Sequence, residues 1–153
     1  MTASGTVRVD PQTRDRLHQL CDACLPDETG GILLGYRTAG EIVVLDTLEV
    51  PDSQAHRFGY TRRRAPAQRL LDTHLAAQPP SSDVGWVGDF HSHPADQPAS
   101  RTDLRTLRRN ARADGSPLAL LVLAHVGGTR WTAYGYTSSG GRPQPAAVTL
   151  TLL

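Results

Sequence analysis

Apolar positions along this chain recur first at a helical period, then at a strand period, and the switches mark its elements. Leu17, Leu20, Cys21, Cys24 and Leu25 fall at i, i+3, i+4, i+7 and i+8, the buried stripe of a helix. Asp10-Pro11 reads as an N-cap followed by proline at the first helical position, so a helix is expected from about Pro11 to Leu25. Ile32–Tyr36 is apolar and bounded by glycines, Thr38–Gly40 is a turn, and Glu41–Val50 is rich in β-branched residues; two strands are expected there. Pro51–Tyr60 is polar and irregular. Ala67, Leu70, Leu71, His74 and Leu75 share one face of a helix over about Arg64–Ala77. After a Pro/Ser loop at Gln78–Asp83, a third strand is expected over Val84–His91. Pro94–Ala99 is a short loop, and Ser100–Ala113 is a helix with Leu104, Leu107 and Ala111 inward. Leu118–His125 is a continuous apolar run, hence a strand buried on both faces. Gly127-Gly128 turns the chain into a partner strand over Arg130–Tyr136. Ser138–Pro145 is expected to be flexible, with an edge strand over Ala147–Leu153. The order α-β-β-α-β-α-β-β implies a mixed sheet covered by helices, a three-layer α/β architecture.

Composition adds bounds. The 153 residues are 39% hydrophobic and 20% charged, ordinary for one globular domain that needs no disulfide or structural metal, and a single domain over residues 1–153 is expected. A net charge of +1 indicates no nucleic-acid partner and no membrane surface. Met1–Val9 holds no secretory apolar run and Leu118–Ala124 is too short to span a bilayer, so a cytoplasmic location is expected. All 16 basic residues are arginine, leaving no lysine amine for isopeptide attachment. Cys21 and Cys24 have the spacing of a CxxC motif. No second half-site accompanies them and they lie on the helical stripe, which favours two packed thiols.

The chemistry concentrates in Asp89-Phe90-His91-Ser92-His93-Pro94 and Ser100-Arg101-Thr102-Asp103. Side chains two apart share a strand face, so His91 and His93 project together, and Pro94 ends the strand. The pair alone suits either a metal site or two solvated imidazoles. Asp103 would complete a His₂Asp set with a fourth position left open, the arrangement of a catalytic rather than a closed structural zinc. Ser-x-x-Asp at a helix start is also a capping box, and Asp103 is not expected both to ligate and to fold back on the Ser100 N–H. Of the three glutamates, Glu41 and Glu49 look like solvated charges. Glu28 lies between a helix and a buried strand, beside two glycines that permit close approach; alone it reads as a loop carboxylate. Asp89 shares parity with the histidines and suits either a partner orienting one of them or a solvated aspartate. Ser92 has the opposite parity and is expected to bond locally, and His74 reads as a satisfied core histidine. Arg62-Arg63-Arg64 reads as a solvated helix start, with an acidic partner as the alternative.

Glu28, His91-Ser92-His93-Pro94 and Ser100-x-x-Asp103 together resemble the JAMM motif of the MPN (Mov34/PAD-1) metalloproteases. Glu28-Thr29-Gly30-Gly31-Ile32-Leu33-Leu34-Gly35 and Gly88-Asp89-Phe90 look like the small bacterial members. The resemblance spans about Val7 to Tyr136. It implies a cytidine-deaminase-like α/β/α sandwich, with Zn²⁺ held by His91, His93 and Asp103. Glu28 would move a proton from the attacking water to the leaving amine, and Ser100 would stabilise the oxyanion. It further implies hydrolysis of the peptide or isopeptide bond at the C-terminal tail of a ubiquitin-like or sulfur-carrier protein, with E1- or E2-like proteins as further partners. Pro94–Ala99 is one residue shorter than the family's usual spacing, which places Asp103 in question. Two rivals are a non-catalytic MPN scaffold, which usually lacks part of the motif, and a zinc deaminase, whose His-x-Glu and Pro-Cys-x-x-Cys words are absent.

Overall fold

The computed structural model describes residues 5–141 and 145–152. Three helices and eight strands alternate in the order β1 Thr6–Val9, α1 Pro11–Cys24, β2 Gly30–Thr38, β3 Glu41–Glu49, α2 Arg64–Ala76, β4 Gly85–His93, α3 Arg101–Asp114, β5 Leu118–Gly127, β6 Arg130–Ser138, β7 Ala146–Ala147 and β8 Thr149–Leu152. The periodic segments became the expected elements within a few residues at each end. One strand was not anticipated: Thr6–Val9 is too short to carry a period of its own, yet its alternation buries Val7 and Val9.

All eight strands form one mixed sheet in the order β7-β6-β5-β4-β2-β3-β1-β8. β4–β5, β1–β3 and β1–β8 are parallel and the remaining pairs antiparallel. The two ends of that order, β7 and β8, are separated along the chain by Val148 alone, whose N–H donates to Gly135 O at 3.0 Å. The sheet therefore curls until its edges approach, which leaves little free edge for another chain. Part of the segment expected to be flexible, residues 142–144, and Leu153 lie outside the described residues.

β5 shows how the layers form. Its run is buried throughout; Ala119, Leu121 and Leu123 pack with Leu17 and Cys21 of α1, while Leu118, Leu120 and Val122 pack with Leu107 and Ala111 of α3. On the α2 side, Ile32 and Leu34 meet Val50 and Ala67. One helix covers one face and two cover the other, the expected three-layer α/β arrangement. Among the described residues no helix is long and apolar enough to cross a membrane.

The register of β4 carries the consequence that matters most. Between Leu33↔Gly88 and Leu34↔Trp86 the ladder skips a residue, a β-bulge at Val87-Gly88. Val87 faces the α1 core before it and Phe90 faces the same core after it, three positions on instead of an even number. The bulge thereby sends Phe90 and Ser92 inward and leaves Asp89, His91 and His93 on the outer face beside α3.

Candidate metal centre

Strand β4 runs through His93, two residues beyond its expected end, so both histidines are set by ladder hydrogen bonds to β5, with His91 opposite Val122 and His93 opposite Ala124. Their rings stand 4.9 Å apart, tilted by 46°. Pro94 ends the strand, and Ser100 caps α3: its Oγ accepts from the Asp103 N–H at 3.1 Å, while Asp103 Oδ2 accepts from the Ser100 N–H at 2.7 Å. The same Oδ2 lies 3.3 Å from His91 Nε2 and 3.7 Å from His93 Nε2. Capping and facing the histidines were expected to exclude one another. They do not, because a carboxylate oxygen has two lone pairs, and one fold-back of the side chain serves both. The short loop before Ser100 has not displaced Asp103. It is anchored to β6 by Ala99 N–H donating to Tyr136 Oη at 3.2 Å and by Tyr134 O–H donating to Asp96 Oδ1 at 2.7 Å.

Glu28 is brought to the histidines by its neighbour Thr29. Thr29 N–H donates to Ser92 Oγ at 2.9 Å and Ser92 N–H donates to Thr29 O at 2.9 Å, which ties the residue after Glu28 to the residue between the two histidines. Ser92 thus bonds across the sheet, not locally as expected. A Cβ on Gly30 would overlap the Phe90 carbonyl oxygen and the Tyr60 ring, so the glycine is what admits this approach. Glu28 is buried, its N–H donates to His56 O at 3.0 Å, and its Oε1 lies 3.5 Å from His93 Nε2.

The electrostatics follow from this crowding. Burial, opposed by the His91 ring and aided by Asp103, pushes the Glu28 carboxyl up to about 7. Burial alone would raise Asp103; the adjacent His91 ring and the two contacts with Ser100 outweigh it and hold that carboxyl at about 2. Burial lowers His93 against the raising effect of the Gln97 carbonyl. That carbonyl, 3.0 Å from His93 Nδ1, can only accept, so Nδ1 carries the proton and the Nε2 lone pair faces Asp103.

The donor set fits a divalent cation. One ligand atom from each of His91, His93 and Asp103 lies within 4.8 Å of the others. Ligands about 2.0–2.1 Å from a tetrahedral ion stand about 3.3–3.4 Å apart, close to the 3.3 and 3.7 Å observed. His91 Nε2 is buried without a well-aligned hydrogen-bond partner, a nitrogen that a cation would satisfy.

Several neighbours differ from expectation. Asp89 orients no histidine and is not solvated; its carboxylate accepts from Arg62 Nε at 2.9 Å and Trp86 Nε1 at 3.1 Å. Glu49 is not a free surface charge, since it accepts from Thr29 Oγ1 at 2.9 Å and Cys24 Sγ at 3.7 Å. Cys21 is a packed core thiol, pushed up to about 12 by burial, whereas Cys24 is only partly buried. His74 lies half-buried against Gln78 rather than in the core. Gln97 and Tyr136 were missed: one acts through a backbone carbonyl and the other through a distant strand, and neither leaves a local signal.

Comparison with known proteins places the chain in a family. The chain is 31% identical over 108 residues to a protein of Vibrio cholerae serotype O1 named CD-NTase/cGAS isopeptidase; the match spans 64% of this chain and 63% of that relative's length. A protein of Desulfitobacterium hafniense solved in solution superimposes with a TM-score of 0.67 at 14% identity, covering 96% of this chain and 92% of that one. A crystallised JAB1/MPN domain protein of Archaeoglobus fulgidus gives a TM-score of 0.59 at 15% identity, covering 97% and 98%. At such identities these structures establish the fold. The profile of the prokaryotic homologs of the JAB domain matches residues 10–134, a span that includes Glu28, His91, His93, Ser100 and Asp103, and the chain belongs to that family.

Proposed function

We propose that this chain is a single-domain zinc-dependent isopeptidase that removes a ubiquitin-like protein from a conjugate by hydrolysing the bond at its C-terminal tail. The observation that carries this reading is the approach of Glu28 Oε1 to within 3.5 Å of His93 Nε2, the atom that also faces Asp103. His91, His93 and Asp103 would hold the ion. Zinc in such a site supplies Lewis acidity, polarising a carbonyl and bringing the pKa of water toward ~7. The chain's own residues do the rest. Glu28, a buried carboxyl 3.5 Å from His93 Nε2, takes the proton of the attacking water at Oε1 and returns it to the leaving amine. Ser100 Oγ accepts from the Asp103 N–H, so its own proton is free to donate to a developing oxyanion. The Gln97 carbonyl keeps the His93 ring in one tautomer. The name of the Vibrio relative supports removal of a conjugate over trimming of a precursor.

Metal analysis of the purified chain should return one zinc per molecule, and Glu28→Gln should keep that zinc while losing on the order of 10²–10⁴ in rate. Cleavage of isopeptide-linked conjugates and of tail-extended precursors is compared side by side. Cleavage of precursors alone would assign sulfur-carrier processing instead. A chain without zinc and without cleavage would be the scaffold type.

A further inference from the structure

Helices α2 and α3 flank a groove of about 970 Å³ that crosses the outer face of the sheet and reaches His91 and Asp103. Trp86 and Leu71, both partly exposed, give it an apolar patch above the buried Ile32, Leu118 and Leu120. Thr102, Thr106, Arg109, Asn110 and Ala113 line it from α3, at i, i+4, i+7, i+8 and i+11, so the groove follows one face of that helix. Four arginines and three aspartates line it, and most of this charge is internally spent. Arg62 Nε is 2.9 Å from Asp89 Oδ2, Arg37 Nη2 is 3.7 Å from Asp114 Oδ2, and Asp103 turns to the histidines. Arg64, the first residue of α2, and Arg109 remain exposed, with no hydrogen-bond or ion-pair partner among the described residues.

We propose that this groove is a substrate subsite for an extended acidic segment, with a carboxylate side chain received by Arg109 and Arg64. The proposal rests on the hydrolase reading above and adds a specificity to it. Asp103 and Arg109 are six positions apart, about 9 Å along the helix. An extended chain covers that span in about three residues, so the acidic side chain stands about three positions from the bond that is cut. Thr106 and Asn110 on the same wall offer donors to the segment's backbone carbonyls. A polypeptide is favoured over a nucleic acid because most of the groove's positive charge is already paired with aspartates and the groove is continuous with the centre.

The test uses the zinc-loaded full chain carrying Glu28→Gln, which leaves the probe intact. Labelled peptides differ only by Glu or Gln three positions from the junction, placed on its acyl side or its amine side, and binding is read by fluorescence anisotropy. The Glu peptide should bind about fivefold more tightly or better in one of the two placements. Arg109→Gln and Arg64→Gln should each erode that preference, and Arg105→Gln, on α3 outside the groove, should keep it. Equal binding of Glu and Gln peptides in both placements overturns the subsite, as does tighter binding of an oligonucleotide of equal charge. Glu-selective binding by a wild-type chain that cleaves nothing would sink the hydrolase reading and leave the subsite standing. Cleavage without any Glu preference would do the reverse.

Discussion

Gly88 decides which face of β4 the histidines occupy. Without its bulge the strand would alternate evenly from Val87, and His91 and His93 would point into the α1 core in place of Phe90 and Ser92. A Cβ at this position would overlap the carbonyl oxygen of Ala119 on β5. Gly88→Ala should therefore cost about 1–3 kcal/mol and misplace the ligands, so that both melting temperature and zinc content fall. A variant with wild-type zinc content would disprove this role. Glu28 is the other residue whose setting has a measurable consequence. Burial holds its carboxyl at about 7 in the metal-free chain against an ordinary 4.5, so between those values the folded state binds more protons than the unfolded one. Stability then falls as pH rises through that window. Metal-free Glu28→Gln should melt above the metal-free wild type at pH 8, with the gap closing toward pH 4; a gap independent of pH would show that the carboxyl is not desolvated. At this scale the pairing of His91 with His93 was readable because a two-residue spacing fixes a shared face. The bulge was not, because Val84–His91 reads as one uniform strand. The double duty of Asp103 was not readable either, since it depends on which lone pair of Oδ2 faces which partner.

The working unit above the residue is β4, the six-residue loop Pro94–Ala99 and α3. Long-range periodicity made both flanking elements legible: the alternating strand, and the helix with Leu104, Leu107 and Ala111 inward. The geometry of the loop was not legible, because it is held by partners outside the unit. Tyr136 on β6, expected only as a strand residue, receives the Ala99 N–H immediately before the cap of α3. Tyr136→Phe would leave that N–H without its acceptor, at a cost of about 1–3 kcal/mol. Because Ala99 precedes Ser100, the loss should also loosen Asp103. We expect weaker zinc binding in a competition assay with a chromogenic chelator, and a smaller loss for Tyr134→Phe, whose partner Asp96 is exposed. Equal zinc affinities for wild type and Tyr136→Phe would show that the loop holds its shape unaided. The missed strand β1 belongs to the same lesson: four residues carry too little pattern, and β1 exists because β3 and β8 pair with it on either side.

Across the whole molecule, the centre joins parts of the chain that are remote in sequence: residue 28 ahead of β2, residues 91 and 93 on β4, and residue 103 on α3. The unfolded chain cannot present them together, so an ion held by His91, His93 and Asp103 binds the folded state selectively and stabilises it by mass action, about 4 kcal/mol at free metal 1,000-fold above its Kd. The same ion would satisfy the poorly aligned His91 Nε2 and screen Asp103 from Glu28, two unfavourable features of the metal-free centre. Chelation should accordingly lower the melting temperature of the wild type, with recovery on returning zinc. Asp103→Asn separates ligation from capping, because an asparagine Oδ1 can still accept from the Ser100 N–H while lacking the charge that a cation needs. Its metal-free form should melt below metal-free wild type near neutral pH, because the carboxylate's favourable contacts with the His91 ring are lost, and it should show little or none of the rise with zinc. A wild type whose melting ignores chelator, or an Asp103→Asn chain that responds to zinc as strongly as wild type, would mean that the three groups do not act as one site.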